Sequence, residues 1–336
     1  MRIGLVYDLR DDYRALGLSD DETAEFDSRE TIDALAGALD TNGAEVVRVG
    51  HGRALAGKLA RGTRYDLVFS IAEGLKGRNR EAQVPALCEL FDQPYVFSDP
   101  LTMAATLDKA IAKRLVGAAG VPTAPFVVLG DARDAFETSL PFPVFVKPNA
   151  EGTGKGCETT SRANSAPDLA HAAHTLITRY RQPVIAEAYL SGREFTVGLL
   201  GTGAEARVLG VLEIILNDGA DANIYTYRNK EECERLVTYV LADDGEARET
   251  ARLALEAYRA LECRDAARLD FRSDAQGRPH FLEANPIAGL HPTHSDLPIL
   301  NTALGHSYDS LIGAILKSAA SRYGLTMPGT AGEKAA

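Results

Sequence analysis

Short apolar runs separated by polar segments of helical spacing fill the first hundred positions of this chain. Residues 3–7 (IGLVY) are continuously apolar, the pattern of a strand buried on both faces of a parallel sheet. Residues 8–28 are polar and read as a segment outside the core. Residues 30–39 carry a helical pattern that ends near Asn42-Gly43, a helix-stop signal. Further strands are predicted at 45–49, 65–70 and 95–97, with a helix at 83–91. Strands alternating with helices imply an α/β unit built on a parallel sheet. Ligands of such sheets gather at the carboxyl ends of the strands, here residues 8–25 and 72–80.

The pattern changes near Asp99-Pro100. A helix over 107–119 puts Leu107, Ile111 and Leu115 on one face and leaves Lys109 off it. Strands at 126–129, 144–147 and 184–188 flank a helix at 166–180. Pro141 and Pro143 confine the start of the second of these strands. From about 191 the chain turns β-rich, with strands at 194–200 and 206–215, a polar stretch over 217–239 and a helix at 246–262. A hairpin around 268–285 and a helix at 308–321 follow. The expected division is 1–98, 99–190 and 191–325, with 326–336 a disordered tail of small and polar residues.

Composition narrows the partners. With 336 residues, 45% apolar and 25% charged, the chain is an ordinary globular one. Its 36 basic against 47 acidic residues, a net charge of −11, argue against nucleic acid or an anionic membrane as partner. A nucleotide needs only a local basic site. No stretch approaches the ~18 apolar residues of a membrane span. The four cysteines are scattered without a CxxC spacing and no secretory leader pattern opens the chain, so the expectation is a reduced, cytoplasmic protein.

The hairpin carries the most specific chemistry. Arg268-x-Asp270 and Glu283-x-Asn285 lie on two short strands, and alternation gives each pair one face. Leu269, Phe271, Leu282 and Ala284 are expected to point into the core. Two carboxylates and an amide oxygen suit Mg²⁺, which takes one or two carboxylates plus nucleotide phosphates. Taken alone, the same residues also describe a solvated, charged turn. A second feature is VFVKPNAEGTGKGC, where a strand delivers Lys147 to a loop with Gly152, Gly154, Lys155 and Gly156. Glycines let backbone N–H groups approach phosphate oxygens. The spacing is neither a Walker A loop nor a dinucleotide fingerprint. By itself it is a flexible turn or a nucleotide lid. Glu187 and Glu194 flank a hinge-like turn, where they either hold adenine and ribose or solubilise the strand ends.

The ordered set Asp108-Lys109, Lys147-Pro148, Glu151-Gly152-Thr153, Glu187-x-x-Leu190, Glu194-Phe195-Thr196-Val197, Arg268-x-Asp270 and Glu283-x-Asn285 resembles the ATP-grasp enzymes, most closely the D-alanine–D-alanine ligases. The resemblance spans about residues 1–320. It implies a mixed α/β and α+β fold, the ATP-grasp fold: an N-terminal parallel-sheet domain, a small central domain and a C-terminal domain. It assigns Lys109, Lys147, Glu151, Gly152, Gly154, Lys155 and Lys230 to the nucleotide phosphates or the lid over them. Glu187, Tyr189 and Leu190 fall to adenine and Glu194 to ribose. Asp270, Glu283 and Asn285 fall to two Mg²⁺ ions, with Mn²⁺ an acceptable substitute. Arg268 becomes the oxyanion donor, with Thr153 and Glu25 also in the catalytic group. Glu25, Glu73, Tyr225, Glu231, Gly289, His294 and Ser295 fall to amino-acid-like substrates, and a homodimer is implied.

The implied reaction joins a carboxylate to an amine. A carboxylate acylates poorly because its leaving group is oxide; transfer of the γ-phosphoryl group of ATP converts it to an acyl phosphate that an amine can attack. Departures from the family cluster on the substrate side. Thr153 replaces a serine, Glu73 stands where the family has a histidine, and Glu231 stands for a tyrosine in Tyr225-x-Tyr227-x-x-Lys230-Glu231. His294-Ser295 follows one extra residue. The expectation is therefore a ligase for two D-alanines or for another pair of amino acids or a small acid and amine. A non-catalytic nucleotide-binding protein is expected to have lost a metal ligand or a phosphate lysine, and all are present.

Overall fold

The first apolar run becomes the middle strand of a parallel sheet. In the computed structural model, which describes residues 1–220 and 232–327, β1 (Arg2–Val6) lies between β2 (Glu45–Gly50) and β3 (Leu67–Ser70). Ile3, Leu5 and Val6 are fully buried, which explains the absence of alternation. The polar stretch after β1 does not stay outside. It forms α1 (Arg10–Ala15), and Asp8, Thr23, Ala24 and Phe26 are buried. Asp8 tolerates burial because it accepts from the Tyr13 hydroxyl and the Gly74 amide. α2 (Arg29–Thr41) starts at Ser28, whose hydroxyl caps Thr31 N.

An unpredicted helix, α3 (Gly52–Ala60), buries only Leu55 and Leu59, too few positions for a legible period. α4 (Gln83–Leu90) falls where expected, whereas the strand expected at 95–97 is reduced to one parallel bridge from Tyr95 to Val68.

The single helix expected at 107–119 is two. α5 (Pro100–Leu107) and α6 (Lys109–Ala118) break at Asp108, whose ψ of 99° is extended and whose carboxylate caps Ile111 N. The buried face of α6 is Lys109, Ala110, Ala112, Lys113 and Val116, while Leu115 is 44% exposed. Polar partners opposite the two lysines, buried Glu187 for Lys113 and Glu283 with the Glu151 carbonyl for Lys109, override the apolar period here.

β4 (Phe126–Leu129), β5 (Val144–Pro148), β6 (Arg162–Ala163) and β7 (Val184–Ala188) form an antiparallel sheet in the order β4-β7-β5-β6. α7 (Ala166–Tyr180) packs on it through Leu169, Ala173 and Leu176. The third sheet is antiparallel: β8 (Glu194–Leu200), β9 (Arg207–Leu216), β10 (Val237–Leu241), β11 (Ala266–Ser273) and β12 (Pro279–Asn285), ordered β10-β9-β8-β11-β12. α8 (Cys233–Leu236) leads into β10. α9 (Gly245–Ala260) covers one face of this sheet with Leu253, Ala254, Ala257 and Tyr258. α10 (Asp296–Ala303), also unpredicted, follows the hairpin.

α11 (Tyr308–Arg322) returns to the first sheet, where Leu311, Ile312, Ile315 and Leu316 join the core of Leu35, Leu39 and Phe69. Buried Asp265, at the foot of β11, accepts from Phe97 N and Ser318 Oγ and pairs with Arg322 at 2.7 Å. That junction fixes the first and third sheets relative to each other, with the hairpin facing the loops of the other two.

The expected tail at 326–336 falls mostly on residues 328–336, which lie outside the described residues.

Candidate active site

Cross-strand register brings the hairpin residues together. Asp270 lies opposite Glu283, and Arg268 opposite Asn285. A bulge follows Asp270, so Phe271 pairs with Phe281 and Leu282 is the extra residue. The core position expected for Leu282 is therefore taken by fully buried Phe281, and Leu282 lines the adjoining cavity. Alternation cannot be carried through a bulge.

Asp270 is held on every side. Its Oδ1 accepts from Thr196 Oγ1 and from Arg268 Nε at 3.1 Å; its Oδ2 accepts from Arg268 Nη2 at 2.9 Å and Asn285 Nδ2 at 3.3 Å. Asn285 thus uses its NH₂ toward Asp270, leaving its amide oxygen outside this contact. Glu283 Oε2 is 3.3 Å from Lys109 Nζ. Among the described residues no three His, Cys, Asp or Glu side chains converge as a self-sufficient metal centre. Two carboxylates and one amide oxygen still match Mg²⁺, which completes its octahedron with water and phosphate oxygens.

Two cavities adjoin this hairpin. Lys147, Gly154, Lys155, Glu187, Tyr189, Leu190, Glu194 and Asp270 line the first, with apolar walls from Phe145 and Leu282. Glu25, Glu73, Gly152, Thr153, Arg268, Asn285, Gly289, His294 and Ser295 line the second. Lys109, Glu151, Glu283 and Asp296 line both. Tyr225, Lys230 and Glu231 lie outside the described residues.

In the first cavity, Lys147 Nζ is 3.1 Å from Glu187 Oε2, and Arg272 Nη1 is 3.2 Å from Glu194 Oε2. Burial alone lowers the pKa of Lys147, but Glu187 and Glu283 outweigh it and hold the ammonium charged. The loop 151–156 is tied at its start. Glu151 Oε2 pairs with Lys155, Glu151 Oε1 accepts from Gln182 Nε2 at 2.6 Å, and Lys109 Nζ donates to the Glu151 carbonyl. Thr153 has a left-handed φ of 52°, uncommon for a β-branched residue, and Gly156 a φ of 73°. A Cβ on Gly156 would come within 2.8 Å of Pro148, so glycine is required there for packing as well as conformation.

The second cavity is acidic at one end. Burial raises the Glu73 carboxyl well above its ordinary range, and Glu81 and Glu25 add to that. Glu81 is in hydrogen-bond contact with Glu73 and is pushed up to about 7, first by burial. Asp27 is likewise pushed up to about 7 by burial. At the opposite end, Arg268 Nη1 lies 3.4 Å from Asp296 Oδ2. Ser295 Oγ accepts from His291 N and packs against Gly289, where a Cβ would come within 2.7 Å of that oxygen. His294 Nδ1 sits 3.5 Å from Cys233 Sγ.

The arrangement has a cleft of mixed charge with apolar walls, joined to a polar pocket through Lys109 and three carboxylates. Residues 115–317, more than half of the chain, match the family model described as the D-ala D-ala ligase C-terminus. The chain belongs to the D-alanine–D-alanine ligase family. The D-alanine–D-alanine ligase of Bordetella petrii is 36% identical over 273 residues, covering 80% of this chain and 79% of that one. The crystal structure of the D-alanine–D-alanine ligase of Bacillus anthracis complexed with ATP superimposes with a TM-score of 0.72 at 21% identity, over 96% of this chain and 98% of that one. The VanG D-Ala:D-Ser ligase of Enterococcus faecalis gives 0.72 at 20% identity, over 95% and 99%. The fold is thus that of the D-alanine ligases, the ATP-grasp arrangement with a parallel N-terminal sheet, and the chain is a ligase of this family.

Several residues at the ligase site were not legible. Lys113 is fully buried, pairs with Glu187 Oε1 at 2.6 Å and donates to Phe281 O at 2.7 Å. Its i+4 spacing from Lys109 was the available signal. Arg80, the last residue of the 72–80 segment expected at the strand ends, pairs with Glu25 at 2.8 Å. Gln182, Arg272 and Asp296 gave no signal, because their partners lie far along the chain.

Proposed function

We propose that the chain is an ATP-dependent carboxylate–amine ligase that joins two amino-acid-like substrates through an acyl phosphate. The observation that carries this reading is the shared wall. Lys109, Glu151, Glu283 and Asp296 border both cavities, so a γ-phosphoryl group held in one faces a carboxylate held in the other. In this reading Tyr189, Leu190 and Phe145 pack on adenine, Glu187 accepts from its amino group, and Glu194 accepts from ribose. Lys109 and Lys147 neutralise phosphate charge, the main demand of phosphoryl transfer.

Asp270, Glu283 and Asn285 would hold Mg²⁺. Bound there, Mg²⁺ supplies charge neutralisation on the phosphates. Arg268, fixed by Asp270 and Asp296, presents N–H donors to the oxyanion of the tetrahedral intermediate. The loop 151–156, with Thr153, excludes water that would hydrolyse the acyl phosphate. Glu25, Gly289, His294 and Ser295 border the amino-acid pocket, and Lys230, Tyr225 and Glu231 complete the proposed set. The three sheets fall one each within 1–98, 99–190 and 191–325, which supports that division. A cytoplasmic homodimer belongs to the same reading, and light scattering on the purified protein tests the dimer.

A second reading of the substrate, a pair other than two D-alanines, is favoured by the Glu73–Glu81 pair. Burial favours the protonated Glu73 carboxyl, whose single O–H donor is already engaged with Glu81, whereas a histidine ring offers an N–H donor of different reach and geometry. Phosphate release from ATP across a matrix of D- and L-amino acid pairs, with products read by mass spectrometry, tests both readings. ATP turnover with amide product is expected; turnover with no pair would refute the ligase reading, and strong preference for two D-alanines would refute the second.

A further inference from the structure

Arg80 joins three segments that are far apart in sequence. Its Nη2 donates to Glu25 Oε2 at 2.8 Å and Oε1 at 3.0 Å, and its Nη1 donates to Ala150 O at 2.8 Å. Glu25 Oε1 also accepts from Gly152 N. The Arg80 and Glu25 side chains are 7% and 6% exposed. Burial alone would raise the Glu25 carboxyl, but Arg80, Lys155 and the Gly152 amide outweigh it and keep it ionised.

The clasp grips Glu151 from both sides. Ala150 precedes it and contributes the carbonyl; Gly152 follows it and contributes the amide. Glu151 borders both cavities, and its own carbonyl accepts from Lys109. Lys147 lies just upstream on β5, and the glycines of the loop lie just downstream. The guanidinium suits this task because its planar fork serves a carboxylate and a carbonyl at once. A Cβ on Gly74 would come within 2.7 Å of Arg80 O, so the backbone on the sheet side is also closely seated.

We propose that Arg80 is a positioning residue that fastens the start of the glycine loop to the edge of the first sheet and so couples ATP cleavage to amide formation. This rests on the ligase reading above. An acyl phosphate exposed to water loses its phosphate without forming an amide. A loop held by Arg80 and Glu25 keeps that water out, and a loop released from them does not.

The test uses the full chain and the amino acid pair with highest turnover. Phosphate released and amide formed are measured in the same reaction, with kcat, the KM for ATP and the thermal midpoint. The wild type is expected to release one phosphate per amide. Arg80→Gln is expected to raise that ratio severalfold, with the loss falling on amide formation and little change in the KM for ATP. Arg80→Lys, which keeps the charge but not the fork, is expected to fall between them.

A purely structural role would lower the thermal midpoint and leave the ratio at one. An unchanged ratio in folded Arg80→Gln therefore overturns the proposal. If that variant does not fold, Glu25→Gln, equal in size, is expected to show the same rise, and an unchanged ratio there overturns it equally. A wild type that forms no amide with any pair overturns the ligase reading and the clasp together; a coupled wild type with a coupled Arg80→Gln overturns the clasp alone.

Discussion

Lys113 Nζ lies 2.6 Å from Glu187 Oε1, and neither side chain is more than 4% exposed. Glu187 Oε2 is 3.1 Å from Lys147 Nζ, so one buried carboxylate is clamped between two ammonium groups. Burial lowers the Lys113 pKa and alone would raise that of Glu187, but the two lysines hold Glu187 below the usual range. Lys113 lines neither cavity and acts through Glu187, which lines the first. Lys113→Met removes one partner of a buried pair and a side-chain donor to Phe281 O, at a cost of about 3–5 kcal/mol. Urea unfolding measures the loss. The KM for ATP is expected to rise with it, because Glu187 then leans on Lys147 alone. Unfolding within ~0.5 kcal/mol of wild type, the ordinary range for a surface change, would rule out this role.

At the hairpin, Asp270→Asn keeps the shape and removes the charge facing Arg268 and Thr196. Turnover is expected to vanish while circular dichroism stays near wild type. Near-normal turnover would remove Asp270 from the proposed metal set.

Arg268→Met tests the oxyanion role. Loss of one such donor typically costs ~10²–10³ in kcat. The expected signature is a drop of about that size with the KM for ATP little changed, read in steady-state kinetics. A rise in the KM for ATP at constant kcat would instead assign Arg268 to nucleotide binding.

Glu73→His exchanges a carboxyl paired with Glu81 for an imidazole with a differently placed donor and acceptor. Selectivity among amino acid pairs is expected to change, while the KM for ATP holds within about twofold, under ~0.4 kcal/mol. An unaltered substrate profile would place Glu73 outside the pocket's recognition chemistry.

Glu81 and Asp27 give stability a definite pH dependence. Each carboxyl is pushed up to about 7 in the folded protein, first by burial. Between their unfolded values near ~4 and pH ~7 the native state binds more protons than the unfolded state, so these groups make stability fall as pH rises through that window. Glu81→Gln keeps the neutral, hydrogen-bonded form at every pH. It is expected to raise the thermal midpoint at pH 8 and to change it little at pH 5. Equal shifts at both values would contradict a raised Glu81.

Local patterns were legible in proportion to how local their cause is. The buried parallel strand, α7, β7, β8 and the shared face of Arg268 with Asp270 follow from apolar periods and alternation within a few residues. Helices α3 and α10 were not legible, since few of their positions carry a period. The bulge at Leu282 was hidden because one inserted residue inverts alternation without changing composition. The break at Asp108 was hidden because a helix cap and a mid-helix aspartate look alike in a single sequence.

By itself the sequence determined the alternating elements, the order of phosphate-type and oxygen-ligand residues, and the family they resemble, because backbone period and motif spacing are written in neighbouring residues. Only the tertiary structure decided which charges face each other: Lys113 with Glu187, Arg80 with Glu25, Glu73 with Glu81, Arg268 with Asp296. Three of these four pairs join distant segments. A lone charged residue in a sequence reads as solvated, and it becomes part of a site only when folding removes water and supplies a partner that outweighs the cost of burial.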